Sequence, residues 1–274
     1  MERKTTPTPP IALVATTPLA RSPQLYWFLG HAASIVCFIS WQVFGFFSKK
    51  QAQRFSRLTL IFQLVSYGIV IRQSVSVPRA NKLQLLRNEN VQYFAFAAVL
   101  LLSSGQLSPW TKATMPFIVY SFFHSITYFQ KHLLNQMPMS IHTQAAVSDR
   151  ITYIASNFNL QALYFASLSE FMLISDIALG LPGLVFSVFR YPLYVLFFGL
   201  RSLAVLVFLK LRYDESTYSR QAVEQLDARV GAMLNSAMVP PQLRAIYYGP
   251  VRTSIARFAG MVLVPRITSQ KKSQ

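Results

Sequence analysis

The chain has 274 residues, of which 53% are hydrophobic and only 13% are charged, whereas a soluble domain usually has about 25% charged residues. So little charge cannot cover the surface of a soluble globule, and the 22 Phe and 13 Tyr residues argue against a disordered chain. The formal net charge is +17, and the single cysteine, Cys37, excludes a disulfide framework and a cysteine-rich metal site. Composition therefore predicts a basic, all-helical membrane protein with several membrane segments.

The first long apolar segment begins after a polar tail. Residues 1–24 are rich in Pro, Ser and Thr and are predicted to be disordered. They do not resemble a secretory signal, whose apolar core has about 7–15 residues, because the first apolar run starts only at Leu25 and is longer. Leu25 to Phe47 contains no Lys, Arg, Asp or Glu over 23 residues. About 20 such residues are enough to cross a bilayer, so this segment predicts a full span.

The next three apolar runs are short. Leu58 to Ile71 has 14 residues, which cross a bilayer only if arginines at both ends extend the helix to the headgroups. The alternative is a re-entrant helix or one lying in the membrane plane. Val91 to Leu107 and Met115 to Phe129 are separated by a short polar turn. Together they predict a helical hairpin, with or without a complete crossing.

The second half of the predicted membrane domain is less regular. Residues 131–150 read as a polar link, and residues 151–175 are weakly apolar. Residues 177–209 are apolar but interrupted by Pro182 and Pro192, which kink or end helices. This stretch predicts either one span with a bent interfacial segment or a tight hairpin. We assign residues 25–209 to a membrane domain with about four membrane segments.

Residues 210–274 have the composition of a cytosolic tail with two amphipathic helices. Residues 220–237 carry apolar side chains at helical spacing, and Pro240 and Pro241 end that helix. A second apolar stripe follows, flanked by arginines, which is typical of helices that bind a membrane surface. The predicted membrane-binding residues are Val251, Arg252, Ile255, Arg257, Phe258 and Val262. Packing on the protein's own bundle is the alternative.

The distribution of charge leaves the membrane topology ambiguous and includes a candidate retrieval signal. Residues 49–87 and the tail are both basic, so both favour the cytosol. If every apolar segment crossed the membrane completely, these basic residues would be divided between its two sides. The charge distribution therefore favours shallow hairpins. Lys271 and Lys272 lie fourth and third from the end of the sequence, the pattern of a dilysine retrieval signal of the endoplasmic reticulum. A basic chain end without that role is the alternative.

The sequence offers little for catalysis. It has four His residues, and none shows the spacing of a metal site or of H-E-x-x-H, so we predict no enzyme, cofactor or metal. Glu170 is the notable acid, because it lies in an apolar run, where an ionisable group is costly. We expect it to pair with Arg190 or Arg201, or to hydrogen-bond Asn157 or a serine. A proton or ion relay in a small transporter is the alternative.

Three segments resemble the transmembrane protein thirty-three family, also called the Krüppel-homologue-two family. They are S-F-F-H-S-I-T-Y-F-Q-K from Ser121, N-F-N-L-Q-A-L-Y-F-A-S-L-S-E-F-M-L from Asn157, and L-K-L-R-Y-D-E-S-T-Y-S-R from Leu209. The resemblance covers residues 24–240, and Q-L-Y-W-F-L-G-H from Gln24 is similar to the fungal branch. It implies a protein of the endoplasmic reticulum and nuclear envelope. The implied partners are reticulon-type membrane shapers, nucleoporins or a nuclear transport receptor that contacts the tail.

These observations predict a structural membrane protein. The predicted role is to shape or organise membrane of the endoplasmic reticulum and nuclear envelope and to support nuclear pore distribution or assembly. The basic blocks adjoin apolar segments, so we expect anionic lipid headgroups, not nucleic acid, as their partner. The alternative is a scaffold that recruits a soluble transport factor through the basic tail.

Overall fold

The described part of the protein is helical throughout. The structure, a computed structural model, describes residues 22–74, 79–236 and 238–265. It has no β-strand within these ranges, which confirms the predicted all-helical class. The helices are α1 (Pro23–Gly45), α2 (Lys49–Ser74), α3 (Glu89–Ser103), α4 (Thr111–Tyr128), α5 (Ile141–Phe171), α6 (Leu173–Ser187), α7 (Pro192–Glu215), α8 (Thr217–Leu234), α9 (Pro241–Ile246) and α10 (Arg252–Gly260). The predicted disorder of residues 1–24 falls almost wholly outside the described residues.

Within the described residues, four helices are long and apolar enough to cross a membrane. They are α1, the Lys49–Gln73 part of α2, the combined α5–α6 helix and α7. Their number agrees with the predicted count of about four membrane segments. Residues 58–71 fall inside α2, which extends nine residues further towards the amino terminus. Those added turns are polar, so the apolar run alone understated the length of the helix.

Side-chain caps fix where several helices begin. The Asn88 side chain accepts a hydrogen bond from the backbone N–H of Asn90 at 2.9 Å, which starts α3. The Ser140 hydroxyl accepts one from the N–H of Thr143 at 3.2 Å, which starts α5. Such caps satisfy backbone donors that the first helical turn leaves free. The expected polar link of residues 131–150 is therefore wrong in its second half, because residues 141–150 form the start of α5.

The bundle has two distinct ends. At one, which we call the terminal end, the start of α3 meets the end of α7: Glu89 pairs with Arg212 at 2.7 Å, and Arg87 with Glu215 at 2.5 Å. Phe28 of α1 stacks on Tyr128 of α4 there, with ring centroids 4.9 Å apart. At the other, the turn end, lie the α1–α2 and α6–α7 connections. The chain thus enters and leaves the membrane domain at the terminal end.

The α3–α4 hairpin is shorter than the spans around it. Its turn lies beside Arg57, whose Nη2 donates to the Ser104 carbonyl at 3.0 Å, and beside Arg201, whose Nη1 donates to the Ser108 carbonyl at 2.9 Å. Arg57 lies eight residues after the start of α2, and at 1.5 Å per residue this is about 12 Å inside that helix. A 15-residue α3 is about 22 Å long, less than a hydrocarbon core of about 30 Å. By length alone α3 falls short of that core, whereas α4, with 18 residues or about 27 Å, nearly matches it.

Aromatic rings and small residues pack the bundle. Phe96 stacks on Phe208 with centroids 4.4 Å apart, which joins α3 to α7. Between α1 and α2 the backbones approach so closely that a Cβ on Gly30 would lie 2.3 Å from Ser66 Oγ. Close approach at small residues is typical of helix pairs in membranes. Helices α6 and α7 also approach closely at a glycine. A Cβ on Gly180 would lie 2.5 Å from the Phe198 ring.

The α6 and α7 helices form an antiparallel pair. Residues 188–191 connect them, and Pro192 occupies the first turn of α7. Since the Gly180 backbone meets Phe198, the two helices fold back on one another over most of the length of α6. Of the two alternatives that the sequence left open for residues 177–209, the structure has the tight hairpin. Pro182 lies inside α6 and does not end it.

Candidate functional site: a buried ionic cluster and a docked tail

The membrane domain encloses an ionic cluster around Glu170. This carboxylate is 0% exposed, and it accepts a hydrogen bond from the Tyr93 hydroxyl. Arg212 Nε lies 3.5 Å from Glu170 Oε2, and Arg212 Nη1 lies 2.7 Å from Glu89 Oε1. An unpaired charge in such a place costs several kcal/mol, so the guanidinium is the group that allows Glu170 to remain inside the bundle.

Aromatic hydroxyls and rings complete this cluster. Arg212 Nη2 donates to the Tyr120 hydroxyl at 3.3 Å, and the guanidinium carbon lies 5.0 Å from the centroid of the Tyr93 ring. The cluster thus joins four helices, α3, α4, α5 and α7. It places two carboxylates, Glu170 and Glu89, against one guanidinium. Its most direct role is to fix these helices at one level.

The predicted partners of Glu170 were wrong. Arg201 is buried, but it donates to the Ser103 hydroxyl at 2.8 and 2.9 Å. Arg190 is exposed in the connection between α6 and α7, where its Nε donates to the Tyr191 hydroxyl at 3.0 Å. Asn157 bonds the Tyr153 carbonyl at 2.8 Å. Arg212 was not among the predicted partners because its stretch of sequence has the composition of a cytosolic tail, whereas α7 continues through Arg212 to Glu215.

No metal site is evident in the described ranges. Among these residues no group of three or more His, Cys, Asp or Glu side chains is placed to hold an ion. His31 instead makes a 2.8 Å contact from Nδ1 to the Ser121 hydroxyl, and Gln63 donates to the same hydroxyl at 2.8 Å. These contacts join α1, α2 and α4. The buried polar side chains here have a packing role.

The C-terminal segment folds back onto α8. Asp227 accepts a hydrogen bond from the Tyr247 hydroxyl at 2.8 Å and pairs with Arg252 Nη2 at 2.7 Å. Partial burial, followed by the hydrogen bond to Asp227, raises the pKa of Tyr247 to about 12. Further along, Lys210 Nζ donates to the Ala259 carbonyl at 3.0 Å. We call residues 238–265 the docked tail, because these contacts hold it against α7 and α8.

The predicted membrane-binding stripe lies mostly at the surface of the docked tail. Val251, Ile255 and Val262 are exposed, Phe258 is half-buried and Arg257 is exposed. Helix α10 ends at Gly260, so Val262 lies after the helix and not on it. Arg252 differs from Arg257 because the Asp227 carboxylate already pairs with it. Lys271 and Lys272 lie outside the described residues.

The first predicted amphipathic helix is present but faces the protein. Helix α8 covers most of residues 220–237 and is capped by Ser216. Ala222 is fully buried in the main hydrophobic core, and Val223 and Leu226 pack against that core. The Tyr164 hydroxyl of α5 donates to Gln225. This part of α8 therefore packs on the bundle, and the exposed stripe is that of the docked tail.

Comparisons with known proteins give one family. The family model described as transmembrane protein 33/nucleoporin POM33 matches residues 10–260. The pore and endoplasmic reticulum protein of 33 kDa of Saccharomyces cerevisiae is 28% identical over 243 residues, which cover 84% of this chain and 88% of that protein. Nucleoporin POM33 of Chaetomium thermophilum is 26% identical over 265 residues, or 88% and 87% of the two chains.

A third relative is tetra-spanning protein 1 of Schizosaccharomyces pombe, which is 21% identical over 257 residues, covering 88% of this chain and 86% of that protein. No solved structure matches the chain. The matches to all three relatives cover more than four-fifths of both chains, and the family model spans the whole membrane domain.

Proposed function

Since this chain belongs to the transmembrane protein 33/nucleoporin POM33 family, we propose that it organises membrane of the endoplasmic reticulum and nuclear envelope. In this proposal it is a multi-pass structural protein that favours curved membrane and supports the placement of nuclear pores. The names of its relatives refer to the pore membrane, the endoplasmic reticulum and a nucleoporin. Its partners would be pore proteins, a transport receptor and reticulon-type membrane shapers.

The observation that carries this proposal is an unequal distribution of helices between the two ends of the bundle. The spans cross both leaflets, but the α3–α4 hairpin begins and finishes at the terminal end and turns back beside Arg57 and Arg201. Helices α8, α9 and α10 also follow α7 at the terminal end. More protein in one leaflet expands that leaflet relative to the other. The expected consequence is a membrane that is convex on the side of the terminal end.

Charge favours a cytosolic terminal end. The connections there contain Arg79, Lys82 and Arg87 before α3 and Lys131 before α5, and the basic tail follows α7. Short loops rich in Lys and Arg stay in the cytosol. An even number of spans also places both chain ends on that side. In this orientation the basic block is divided, because residues 49–57 lie at the turn end and residues 79–87 at the terminal end, so Lys49, Lys50, Arg54 and Arg57 oppose the charge rule while the tail and the connections of the terminal end follow it.

The docked tail adds to the same leaflet. Val251 is 39% exposed, Ile255 41% and Val262 73%, so their apolar side chains are available for headgroup-level insertion. The basic residues Arg257 and Arg244 lie on the same segment. Each such charge near an anionic surface contributes about 1 kcal/mol. The tail thus acts as a second wedge beside the α3–α4 hairpin.

Sorting between flat and curved membrane tests the proposal. The full-length chain, fluorescently labelled, is reconstituted into giant vesicles with the terminal end outward, and narrow tethers are pulled from them. We expect a higher protein density per lipid on the tether than on the vesicle. The double variant Val251→Asp and Ile255→Asp is expected to reduce the enrichment, because two carboxylates oppose insertion of the stripe.

Thr253→Asp is the matched control, because it adds a carboxylate to an exposed position of α10 away from the stripe. It is expected to sort like the wild-type chain. Equal density of the wild-type protein on tether and vesicle would sink the curvature mechanism. If Thr253→Asp lowered the enrichment on the tether as much as the double variant does, the added charge, and not the apolar stripe, would be responsible.

Recruitment of a soluble transport factor is the second candidate, and the exposed guanidinium of Arg257 favours it. Arg252 is a poor probe, because its replacement would also loosen the docked tail from Asp227. In this alternative, Arg257→Glu abolishes capture of the factor while leaving tether sorting unchanged. Loss of sorting without loss of capture would assign Arg257 to lipid contact.

A further inference from the structure

A cavity of about 760 Å³ opens at the terminal end of the membrane domain. Its walls come from the start of α1, the start of α3, the end of α4 and the middle of α5, with Gln24, Asn90, Lys131 and Asn159 among the residues that line it. The span α1 begins at this level, and the span α2 ends at the same level. The cavity therefore lies where the headgroups of a surrounding bilayer are located, between the α3–α4 hairpin and the helices α1 and α5.

Aromatic side chains dominate the walls. Trp27, Tyr67, Tyr93, Tyr120 and Tyr128 all line the cavity. Trp27 and Tyr128 contact one another with ring centroids 6.2 Å apart, and the centroids of Tyr93 and Tyr120 are 5.3 Å apart. Tyr67, Tyr93 and Tyr128 are buried and stacked on other rings, whereas Trp27 and Tyr120 are half-buried. The electron-rich faces of these two rings are the ones available to a quaternary ammonium group.

The charge of the inner wall also favours a cation. Glu89 lines the cavity, and Glu170 lies behind Tyr93, to whose hydroxyl it is bonded. Among the residues that the structure describes, Arg212 is the one arginine paired with these two carboxylates. Glu89 is exposed, so this wall presents its carboxylate to the cavity. An anion placed here would be repelled, whereas a cation would be attracted by the carboxylates and the rings together.

The outer rim has the opposite character. Lys131 and His132 lie in the π-helical turn that follows α4, and both are exposed and line the cavity. An ammonium group at the rim suits a phosphate, to which lysine binds as a point charge. The cavity thus has a cation-binding interior beside an anion-binding rim. A zwitterion with a methylated ammonium and a phosphate has this sequence of charges.

We infer that this cavity binds a phosphocholine headgroup. The trimethylammonium lies against Trp27 and Tyr120 near Glu89, and the phosphate contacts Lys131. The headgroup belongs to a choline phospholipid of the surrounding leaflet, because the cavity opens at headgroup depth beside the ends of the spans. Free phosphocholine has the same chemistry and is the other source to be tested.

Competition for a crosslinking lipid tests the inference on the full-length chain. The protein in detergent micelles is photolabelled with a diazirine-bearing phosphatidylcholine, and labelled peptides are mapped by mass spectrometry. We expect labels near the cavity in α1, α4 and α5. Dioleoylphosphatidylcholine should suppress this labelling at about tenfold lower concentration than dioleoylphosphatidylglycerol, the factor that cation–π contacts of this kind provide. Free phosphocholine is added as a second competitor, to distinguish a lipid from a soluble ligand. If it suppresses the labelling as well as phosphatidylcholine does, the ligand of this site is the soluble compound.

Variants of the two halves of the site complete the test. Trp27→Leu removes an aromatic wall and is expected to abolish labelling near the cavity, whereas Trp27→Phe keeps a ring and retains most of it. Lys131→Gln alters only an exposed side chain and is expected to weaken labelling, with Lys50→Gln at the turn end as its control. Equal competition by phosphatidylglycerol, or wild-type labelling of both Trp27→Leu and Lys131→Gln, would overturn the inference.

Discussion

Arg212 has the largest predicted effect of any single side chain, because it is the cation that faces both Glu170 and Glu89. Arg212→Gln leaves Glu170 buried with the Tyr93 hydroxyl as its remaining partner among these groups. Removing one member of a buried ion pair costs about 3–5 kcal/mol. We therefore expect a large fall in the thermal denaturation midpoint of the purified chain in detergent, followed by tryptophan fluorescence.

Arg190→Gln is the control for this substitution. Arg190 is exposed in the α6–α7 connection and bonds a neighbouring tyrosine, so its loss is expected to change stability by less than about 0.5 kcal/mol. If both variants denature like the wild-type chain, the ionic cluster does not hold the four helices together as described.

Tyr247 gives the docked tail a pH dependence at high pH. An unpaired tyrosine loses its proton near pH 10, whereas burial and the bond to Asp227 raise the pKa of Tyr247 in the docked tail to about 12. Below pH 10 both states are protonated, so docking is independent of this group. Between pH 10 and 12 the undocked tail loses the proton more readily, and docking weakens as the pH rises.

An environment-sensitive dye attached to Thr253→Cys in a Cys37→Ser background would report this transition. The wild-type tail is expected to undock as the pH rises through that interval. Tyr247→Phe lacks the titrating group, so its signal should not show the same step. A step of equal size in both proteins would assign the effect to another group.

The residue-level part of the site was only half predictable. Glu170 stands out in the sequence because an acid in an apolar run demands a partner. Its partner does not stand out, because Arg212 sits among Lys210, Asp214 and Glu215, which give this stretch the composition of a soluble tail. Only the tertiary fold shows that α7 carries the arginine back into the bundle, 42 residues from Glu170 along the chain.

The α6–α7 hairpin depends on the close approach at Gly180. A Cβ there would lie 2.5 Å from the Phe198 ring, so Gly180→Val requires the ring or the helix to move. Overpacking of this kind costs about 1–3 kcal/mol. We expect a lower denaturation midpoint, measured in the same detergent system.

Gly183→Val provides a matched control in the same helix. No atom lies within 4 Å of the Cβ that it would add, so any effect of helix propensity is shared while the clash is absent. A fall as large in Gly183→Val as in Gly180→Val would show that backbone preference, and not the contact with Phe198, governs the hairpin.

Helix boundaries were predicted well where apolar runs and helices coincide, and poorly where a polar stretch continues a helix. The predicted span 25–47 differs from α1 by two residues at each end. In contrast, α2 starts nine residues before its predicted apolar run and α5 starts at Ile141, because polar helical turns carry no hydrophobic signal. The predicted helix of the apolar stripe is too long, because the stripe reaches Val262 whereas α10 ends at Gly260.

The arrangement of the whole bundle predicts which turns reach water. In a Cys37→Ser background, single cysteines are placed at Phe47, Gly105 and Thr253 and treated with an impermeant maleimide in sealed microsomes. Thr253→Cys, on the docked tail, should react at once. Phe47→Cys should react only after permeabilisation, because the α1–α2 connection lies at the opposite end.

Gly105→Cys tests the depth of the α3–α4 hairpin. Its turn lies beside Arg57 and Arg201, inside the ends of the neighbouring spans, so we expect slow labelling even after permeabilisation. Labelling as fast as that of Phe47→Cys would show that this hairpin crosses the membrane completely and would remove half of the asymmetry on which the curvature proposal depends. Labelling of Phe47→Cys in sealed microsomes would reverse the orientation.

The ionic cluster also has a consequence for biosynthesis. Glu89 and Glu170 leave the ribosome before Arg212, so both acids wait for their cation until the last span has been made. A nascent or truncated chain that ends before Arg212 therefore leaves Glu170 without its guanidinium partner among apolar helices, where an unpaired charge is costly. Pairing by Arg212 removes that cost, so the same contact marks the membrane domain as complete.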